Sequence, residues 1–405
     1  MDQIQNNMEI ELDDADKPSE PPQVISLTPA RSRFHHSHSN NNNSNTPTGT
    51  NSNSTPPTPS SSTTPTNIND GDYVSMLQQH SYGRDSMKRG SSRSGHTPEP
   101  TSIVGAVWPQ SCEALSSSSL PPKQQVWLIF GATGTIGQAI CRTALERGDV
   151  VMACSRHIRT LVKVPKEWTD RLETASCDVR SRQMVKDAVE KTVQRWNRID
   201  VVVVSLSGGV IAPCEEQEEH DVRAQFETNL MGLVHVVQAT VPFLRLRNRG
   251  RYIVFSSIAG MMGVPGLGPF SGTKWACEGL MESLAYEIEP FGCRVTLVYP
   301  GTVEQDEMTG KRSPSWRHFV IKPMSNDYRG TPAEYARRMI LWISGHRATG
   351  VSKIAEIVWE LAHCKNPPMR LLMGSESVEN MRDKLRQDVE EIEDWKFLFT
   401  GDSDD

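Results

Sequence analysis

The sequence has no long hydrophobic run, no paired cysteine motif and no excess of positive charge. No apolar stretch reaches the roughly 20 residues that a membrane-spanning helix needs, so no such segment is predicted. The eight cysteines show neither a C-x-x-C pair nor metal-ligand spacing, which indicates free thiols in a reducing compartment, and we expect the cytoplasm. The net charge of −6 gives no indication of nucleic-acid binding. The acidic start Met1-Asp2-Gln3 is not that of a secretory signal.

The first 122 residues have few apolar side chains. They are rich in Ser, Thr, Asn, Pro and Gln and contain the run Asn40-Asn41-Asn42-Asn43. Such a segment cannot bury enough apolar surface to offset its conformational entropy, so we predict that residues 1–122 form a disordered tail. Threonines before proline, and Ser91 after Lys88-Arg89, could be phosphorylated, or could arise by chance in a biased sequence. Residues 123–405 suffice for one large α/β domain.

A glycine-rich loop follows the first apolar run. Val126–Phe130 fits a buried parallel strand, and the pattern after the loop is helical, with Ile136 and Ile140 on one face. Glycines let the backbone turn tightly and approach a pyrophosphate, which then lies at the helix N-terminus. In this strand–loop–helix context the spacing predicts a dinucleotide site; the alternative is a packing loop of some other α/β protein. The candidate contacts are Gly131, Thr133, Gly134, Thr135, Ile136 and Gly137.

The second strand candidate, Val150–Cys154, ends without an acidic residue. A carboxylate there would accept hydrogen bonds from the ribose of NAD. Ser155-Arg156 follows instead, and Arg156 can pair with the 2′-phosphate of NADP, with Arg159 as a possible second cation. We therefore expect NADP(H) rather than NAD(H), against the alternative that Arg156 is a solvated loop arginine.

Further apolar, β-branched runs alternate with helical patterns along the rest of the domain. This alternation predicts an α/β fold: a Rossmann-type doubly wound parallel sheet in a single domain. The remaining strand candidates are the run ending at Cys177-Asp178-Val179, then Ile199–Val204, Tyr252–Ser257, Val295–Tyr299 and Met369–Met373.

Two spaced motifs carry a family resemblance. Ser257 closes a strand candidate, and thirteen residues later the chain reads Phe270-Ser271-Gly272-Thr273-Lys274. A strand-end serine followed at this distance by Tyr-x-x-x-Lys is the catalytic signature of the short-chain dehydrogenase/reductases. From about Gln125 to its end the chain resembles that family, with Phe270 at the tyrosine position.

The resemblance implies a role for each matching residue. Ser257 would orient a substrate carbonyl or hydroxyl, and Lys274 would hold the nicotinamide ribose. Asn229 would anchor a water that feeds the lysine. Asp178, with Val179 beside it, would flank the adenine. Pro300-Gly301 resembles the turn over the nicotinamide.

The chain also departs from the family pattern. The family tyrosine is the general acid/base, and Phe270 has no proton to give; Tyr299 and Tyr328 are conceivable substitutes. Ser205-Leu206-Ser207-Gly208 keeps only the glycine of the usual Asn-Asn-Ala-Gly, and Gln305 stands where a threonine is common. Residues of about 302–330 are expected to form a substrate lid for an unknown small-molecule ligand.

Three functions remain open on the sequence. The first is an NADP(H)-binding protein whose proton-transfer step is weakened or lost, acting as a sensor or scaffold or beside an active paralogue. The second is an active NADP-dependent oxidoreductase that interconverts a hydroxyl and a carbonyl on a small or lipophilic substrate. The third places the function in the tail, with the domain as a platform. The family resemblance also implies a homodimer through helices near 218–248 and 270–290.

Overall fold

A computed structural model of the protein describes residues 123–158, 165–304, 318–343 and 349–398. The predictions for the tail at 1–122, for Arg159 and for Gln305 therefore lie outside the described residues. So does much of the expected lid, of which 302–304 and 318–330 are described.

The strands are β1 Val126–Phe130, β2 Val150–Ser155, β3 Leu172–Ser176, β4 Val201–Val204, β5 Gly209–Ile211, β6 Gly250–Phe255, β7 Cys293–Pro300, β8 Val303–Glu304, β9 Phe319–Ile321, β10 Thr349–Gly350 and β11 Arg370–Met373. Seven of them, all parallel, form the central sheet, in the order β11-β7-β6-β4-β1-β2-β3. Two small parallel pairs, β5 with β9 and β8 with β10, lie outside it.

The helices are α1 Thr135–Glu146, α2 Arg182–Trp196, α3 Glu219–Phe226, α4 Gly232–Leu246, α5 Gly268–Ile288, α6 Pro332–Ile343, α7 Val351–His363 and α8 Ser375–Trp395. They cover both faces of the sheet, and alternate side chains of the buried strands point to opposite faces. Leu128 and Phe130 of β1 pack in one core with α2, α4 and α5, whereas Trp127 and Ile129 pack in the other with α1 and α7. This confirms the doubly wound α/β fold.

The strand order reverses at β1. The chain runs from β1 outward through β2 and β3, and then returns to place β4 on the other side of β1. In open α/β sheets such a reversal opens a crevice beyond the carboxyl ends of the two strands, where ligands bind. The glycine loop after β1 and the Ser205–Gly208 segment after β4 meet at this point.

The structure differs from the expected strand ends in two places. β3 ends at Ser176, so Cys177, Asp178 and Val179 follow the strand rather than close it. β6 ends at Phe255, and Ser257 instead caps a 3₁₀ turn at Ile258–Gly260. In both cases the side chains are displaced from the ladder toward the crevice.

Two sequence predictions concern the chain as a whole. The described residues contain no disulfide, and burial raises the pKa of Cys141 and of Cys177 to about 12, which makes these thiols unreactive. Within the described ranges, no helix combines the length and the apolar composition needed to cross a bilayer.

Candidate functional site

The glycine loop is tightly folded against the ends of β2 and β4. Gly131 has a φ of +85°, and its backbone N–H donates to Cys154 O at 3.0 Å. A Cβ at Gly131 would lie 2.9 Å from the carbonyl carbon of Ser205, and one at Gly137 would lie 2.2 Å from Gly131 O. Both positions therefore require glycine, because any side chain would force the loop open.

Helix α1 starts directly after this loop, and no side chain caps the backbone N–H groups of its first turn. Gly134, the residue before the helix, offers no side-chain cap, and the first turn carries no acidic residue. Gln138 stiffens the loop by donating from Nε2 to Thr133 O at 2.7 Å. A helix N-terminus concentrates backbone N–H groups and positive dipole charge, so this turn can hold a phosphate group.

The end of β2 brings a hydroxyl and a guanidinium to the same cleft. Ser155 Oγ lies 2.5 Å from Thr133 Oγ1, which ties the strand end to the glycine loop. Arg156 is exposed at the rim. Hydrogen bonds from the Arg180 guanidinium are the main reason that the pKa of Asp178 is lowered, and the charge of Arg156 adds to this. Asp178 is therefore a fixed, ionised group in the cleft wall.

The end of β4 is braced without the family's usual asparagine pair. Ser205 Oγ donates to Phe130 O at 3.1 Å. Asn229, buried in a π turn at Glu227–Met231, accepts from Gly208 N at 2.9 Å and donates to Gly208 O at 2.8 Å. Its amide also donates to Thr273 Oγ1 at 3.0 Å, which links β4 to helix α5.

Ser257 and Lys274 face the cleft from two different elements. Ser257 Oγ accepts from Ala259 N at 3.3 Å, so its own proton can be donated to a ligand. Lys274 Nζ donates to Phe255 O at 3.1 Å and is almost fully buried. Burial lowers the pKa of the Lys274 ammonium, while the nearby Cys277 and Glu278 act in the opposite direction.

Phe270 lies one helical turn before Lys274, with its ring buried in the cleft wall. The Lys274 ammonium is 5.7 Å from the ring centroid. The ring of Phe319 from β9 meets that of Phe270 edge to face, with centroids 4.9 Å apart. A Cβ at Gly209 would lie 2.5 Å from Phe319 and 2.8 Å from Phe270, so glycine is what allows the two rings to approach β5.

A buried carboxyl lies behind Lys274 on the same helix face. Glu278 accepts hydrogen bonds from Ser256 Oγ at 2.6 Å and from Tyr299 OH at 2.8 Å. It therefore joins α5 to the ends of β6 and β7, next to Ser257 and Pro300. Tyr299 is fully buried in this cluster, and Tyr328 OH donates to Glu215 at 2.8 Å. Neither tyrosine lines the cleft.

One cleft of about 770 Å³ gathers nearly all the predicted site residues, and its volume is in the range of small-molecule sites. Gly137 and Asn229 are the exceptions, since each supports the wall from behind. The sequence-predicted residues that line it are Gly131, Thr133, Gly134, Thr135, Ile136, Ser155, Arg156, Asp178, Val179, Ser257, Phe270, Lys274, Pro300 and Gly301.

Sequence reasoning missed several lining residues. Ser205 and Ser207 could have been predicted, because they directly follow the strand candidate that became β4. The other missed residues come from the lid and the C-terminal helices, and no periodicity in those segments indicates a site. These others include His318, Phe319, Ile340, Glu376, Ser377 and Asn380.

The sequence of the chain resembles proteins of one known family. The family model for short chain dehydrogenase matches residues 125–316. Oxidoreductase BOA17 of Botryotinia fuckeliana is 33% identical over 256 residues, which cover 63% of this chain and 90% of the relative. The 3-ketodihydrosphingosine reductase of Bacteroides thetaiotaomicron is 31% identical over 255 residues, covering 62% and 88%.

A solved structure agrees with the sequence comparisons. A short-chain dehydrogenase from Streptomyces avermitilis superposes with a TM-score of 0.63 at 25% identity, covering 71% of this chain and all of that one. The chain therefore belongs to the short-chain dehydrogenase family.

Proposed function

We propose that this protein binds NADP(H) in the cleft, and that its proton-transfer step is weakened or lost because Phe270 replaces the family tyrosine. A protein of this kind reports on, or is stabilised by, the nucleotide without turning over a substrate efficiently. A role as a sensor or scaffold follows from that combination.

The residues of the glycine-loop end fit a dinucleotide. Gly131 and Gly137 leave no room for a Cβ, and the open first turn of α1 presents N–H groups to a pyrophosphate. Asp178 would lie at the adenine end, and Lys274 would hold the nicotinamide ribose. When bound, the nicotinamide supplies or accepts a hydride.

The observation that carries the proposal is the Phe270 ring itself. It lines the same cleft as Ser257 and Lys274, is buried and packs on Phe319, and it occupies the position at which the family's phenol would transfer a proton. Losing a positioned acid/base group lowers a rate by about 10²–10⁴-fold. The hydride geometry would remain, so a small residual activity with water as the proton donor is compatible with the proposal.

The choice of NADP(H) over NAD(H) rests on Arg156. No carboxylate follows β2, and Arg156 at the cleft rim can form charge-assisted hydrogen bonds with a 2′-phosphate.

The alternative function is an active NADP-dependent oxidoreductase with a substitute acid. The observation that favours it is His318, whose imidazole lines the same cleft, with its ring centroid 4.1 Å from that of Phe319. Imidazole exchanges protons near neutral pH, which suits a general acid. The curated relatives that carry the names oxidoreductase and 3-ketodihydrosphingosine reductase agree with a hydroxyl or ketone substrate.

A homodimer through α3, α4 and α5 and a cytoplasmic location complete the proposal. Large apolar side chains are exposed on these helices, with Trp275 at 50% and Tyr286 at 53%. Cysteines without disulfides, as in the described part of the chain, suit a reducing compartment.

One experiment separates the two functions. NADPH is titrated into the purified full-length protein while its fluorescence is followed, and NADPH oxidation is then measured against a panel of carbonyl compounds. The proposal expects saturable binding with at most the slow residual oxidation that water as the proton donor allows. Steady oxidation that His318→Gln abolishes would instead establish the alternative, and absence of NADPH binding would refute both.

A further inference from the structure

The short strand β9, which follows β8 in the chain, places Phe319 beside Phe270 in the cleft. β9 pairs with β5 in parallel, with Gly209 opposite Phe319, and Gly209 N donates to His318 O at 3.2 Å. Lys322 N donates to Ile211 O at 3.2 Å and closes the other end of the pair. The ring of Phe319 therefore has a fixed backbone behind it.

Polar contacts hold the chain beyond β9 against an acidic edge of the domain. Lys322 forms ion pairs with Glu218, at 3.1 Å, and with Asp221. Ser325 N donates to Glu216 at 3.2 Å, and Tyr328 OH to Glu215. This side of the cleft is thus held in place before any ligand arrives, and Phe319 is part of a preorganised wall.

The wall around the two rings is apolar. Phe270 forms one buried cluster with Ile211, Ala259 and Leu267, and Phe319 packs against it together with Val264, Ile321, Met324 and Ile340. Three members of this group, Phe270, Phe319 and Ile340, line the cleft, and the others support them from behind. A hydroxyl pressed against such a surface would lose its hydrogen bonds to water without replacement, whereas a hydrocarbon would gain from leaving water.

A donor remains beside this wall. Ser257 Oγ lines the same cleft and uses its acceptor capacity on Ala259 N, so it can donate to a ligand oxygen.

We propose that Phe319 is a specificity-determining residue that, with Phe270, selects a ligand carrying a hydrocarbon or aryl group and one small polar group directed at Ser257. The proposal rests on the proposed function, because the nucleotide would occupy the other end of the cleft. Polyols and sugars are excluded by the same wall.

The test is a series of methyl ketones from butanone to decanone, with xylitol as the polar control, titrated calorimetrically into the full-length protein. The dissociation constant should fall about two- to fourfold with each added methylene until the wall is covered. Xylitol should not bind measurably. If the affinity of the wild-type protein for the ketones does not depend on their chain length, the proposal is wrong, and no variant is needed to show it.

Two variants assign the effect to Phe319. Phe319→Ser should weaken the longest ketone at least about tenfold, and Phe319→Leu, which stays apolar, should keep most of its affinity. Undiminished ketone affinity in Phe319→Ser would overturn the assignment. If Phe319→Ser does not fold, wild type and Phe319→Leu decide, and a Leu variant that loses the whole chain-length gradient would contradict a purely apolar role.

Running the series with and without NADPH separates this proposal from the proposed function. A protein that binds the ketones with the expected gradient but not NADPH refutes the proposed function and leaves the wall standing. A protein that binds NADPH but shows no dependence of ketone affinity on chain length refutes the role of Phe319 and leaves the proposed function standing.

Discussion

The two ends of the cleft keep different amounts of the family pattern. At the glycine-loop end, Gly131 and Gly137 leave no room for a side chain, and the first turn of α1 is uncapped, as the proposed phosphate site needs. At the other end, Phe270, which the family resemblance aligns with the proton-donating tyrosine, packs on a second aromatic ring, Phe319. Between the ends, Asn229, Ser257 and Lys274 each have a defined hydrogen-bond partner.

This difference indicates which constraint each end satisfies. In the proposed function, nucleotide binding depends on backbone shape, which the glycine loop supplies. Acid/base catalysis depends on a titratable group at one position, and we propose that this position is held by Phe270, which has none. A protein can lose the second without disturbing the first, because the ring of phenylalanine fills the volume of the tyrosine ring.

The largest expected effect is on the glycine-loop end. Gly137→Ala should weaken NADPH binding at least about 100-fold, because its Cβ would lie 2.2 Å from Gly131 O and would push the cradle open. Binding is measured by NADPH fluorescence titration. Gly279→Ala is the matched control, because it is also a helical glycine and has open space around it. If Gly137→Ala binds within a few-fold of wild type, the loop is not the cradle.

A smaller effect is expected for Arg156, the residue on which the choice of NADP(H) over NAD(H) rests. Arg156→Ala should weaken NADPH about tenfold and leave NADH unchanged, because only NADPH carries the 2′-phosphate. Both dissociation constants are measured on the same preparation. Arg142→Ala removes a surface arginine of α1 that pairs with Glu146 and should change neither. An unchanged ratio in Arg156→Ala would show that the preference, if any, comes from elsewhere.

The smallest expected effect concerns Glu278, whose carboxyl lies behind Lys274. Burial raises the pKa of Glu278 above its ordinary 4.5, against hydrogen bonds from Ser256 and Tyr299 that lower it. The folded state then holds this proton more tightly than the unfolded chain. The stability that it contributes is complete below the unfolded pKa and is lost as pH rises through the folded pKa.

The melting temperature of wild type should therefore fall, relative to Glu278→Gln, as pH rises from 4.5 toward neutrality. Glu282→Gln changes a more exposed acid of the same helix, paired with Arg370, and should leave the slope as it is. Parallel slopes in wild type and Glu278→Gln would mean that Glu278 titrates normally.

The sheet could be predicted from the sequence because its signals are local. Runs such as Val201–Val204 are continuously apolar, as strands buried on both faces must be. The glycine loop, Arg156 and the Ser257-to-Lys274 spacing likewise lie in short segments with a known geometric meaning.

The ligand wall could not be predicted in this way. Phe319 meets Phe270 and Gly209 through a three-residue strand that pairs with a segment more than 100 positions away in the chain. No periodicity in the lid indicates that pairing. The resemblance named Asn229, but nothing in the sequence predicted its bonds to Gly208 and Thr273, which join three separate elements. Glu278 was not predicted either, since its partners Ser256 and Tyr299 come from separate parts of the chain.

The comparison between the two ends depends most directly on the Phe270→Tyr variant, assayed beside wild type and Phe270→Leu for NADPH affinity and for NADPH oxidation with a carbonyl panel. We expect all three proteins to bind NADPH within about twofold of one another. NADPH oxidation by the tyrosine variant should exceed the residual oxidation of wild type and of Phe270→Leu by about 10²–10⁴-fold. A tyrosine variant that binds NADPH normally and gains no activity would contradict the view that Phe270 is a local loss in an otherwise intact site.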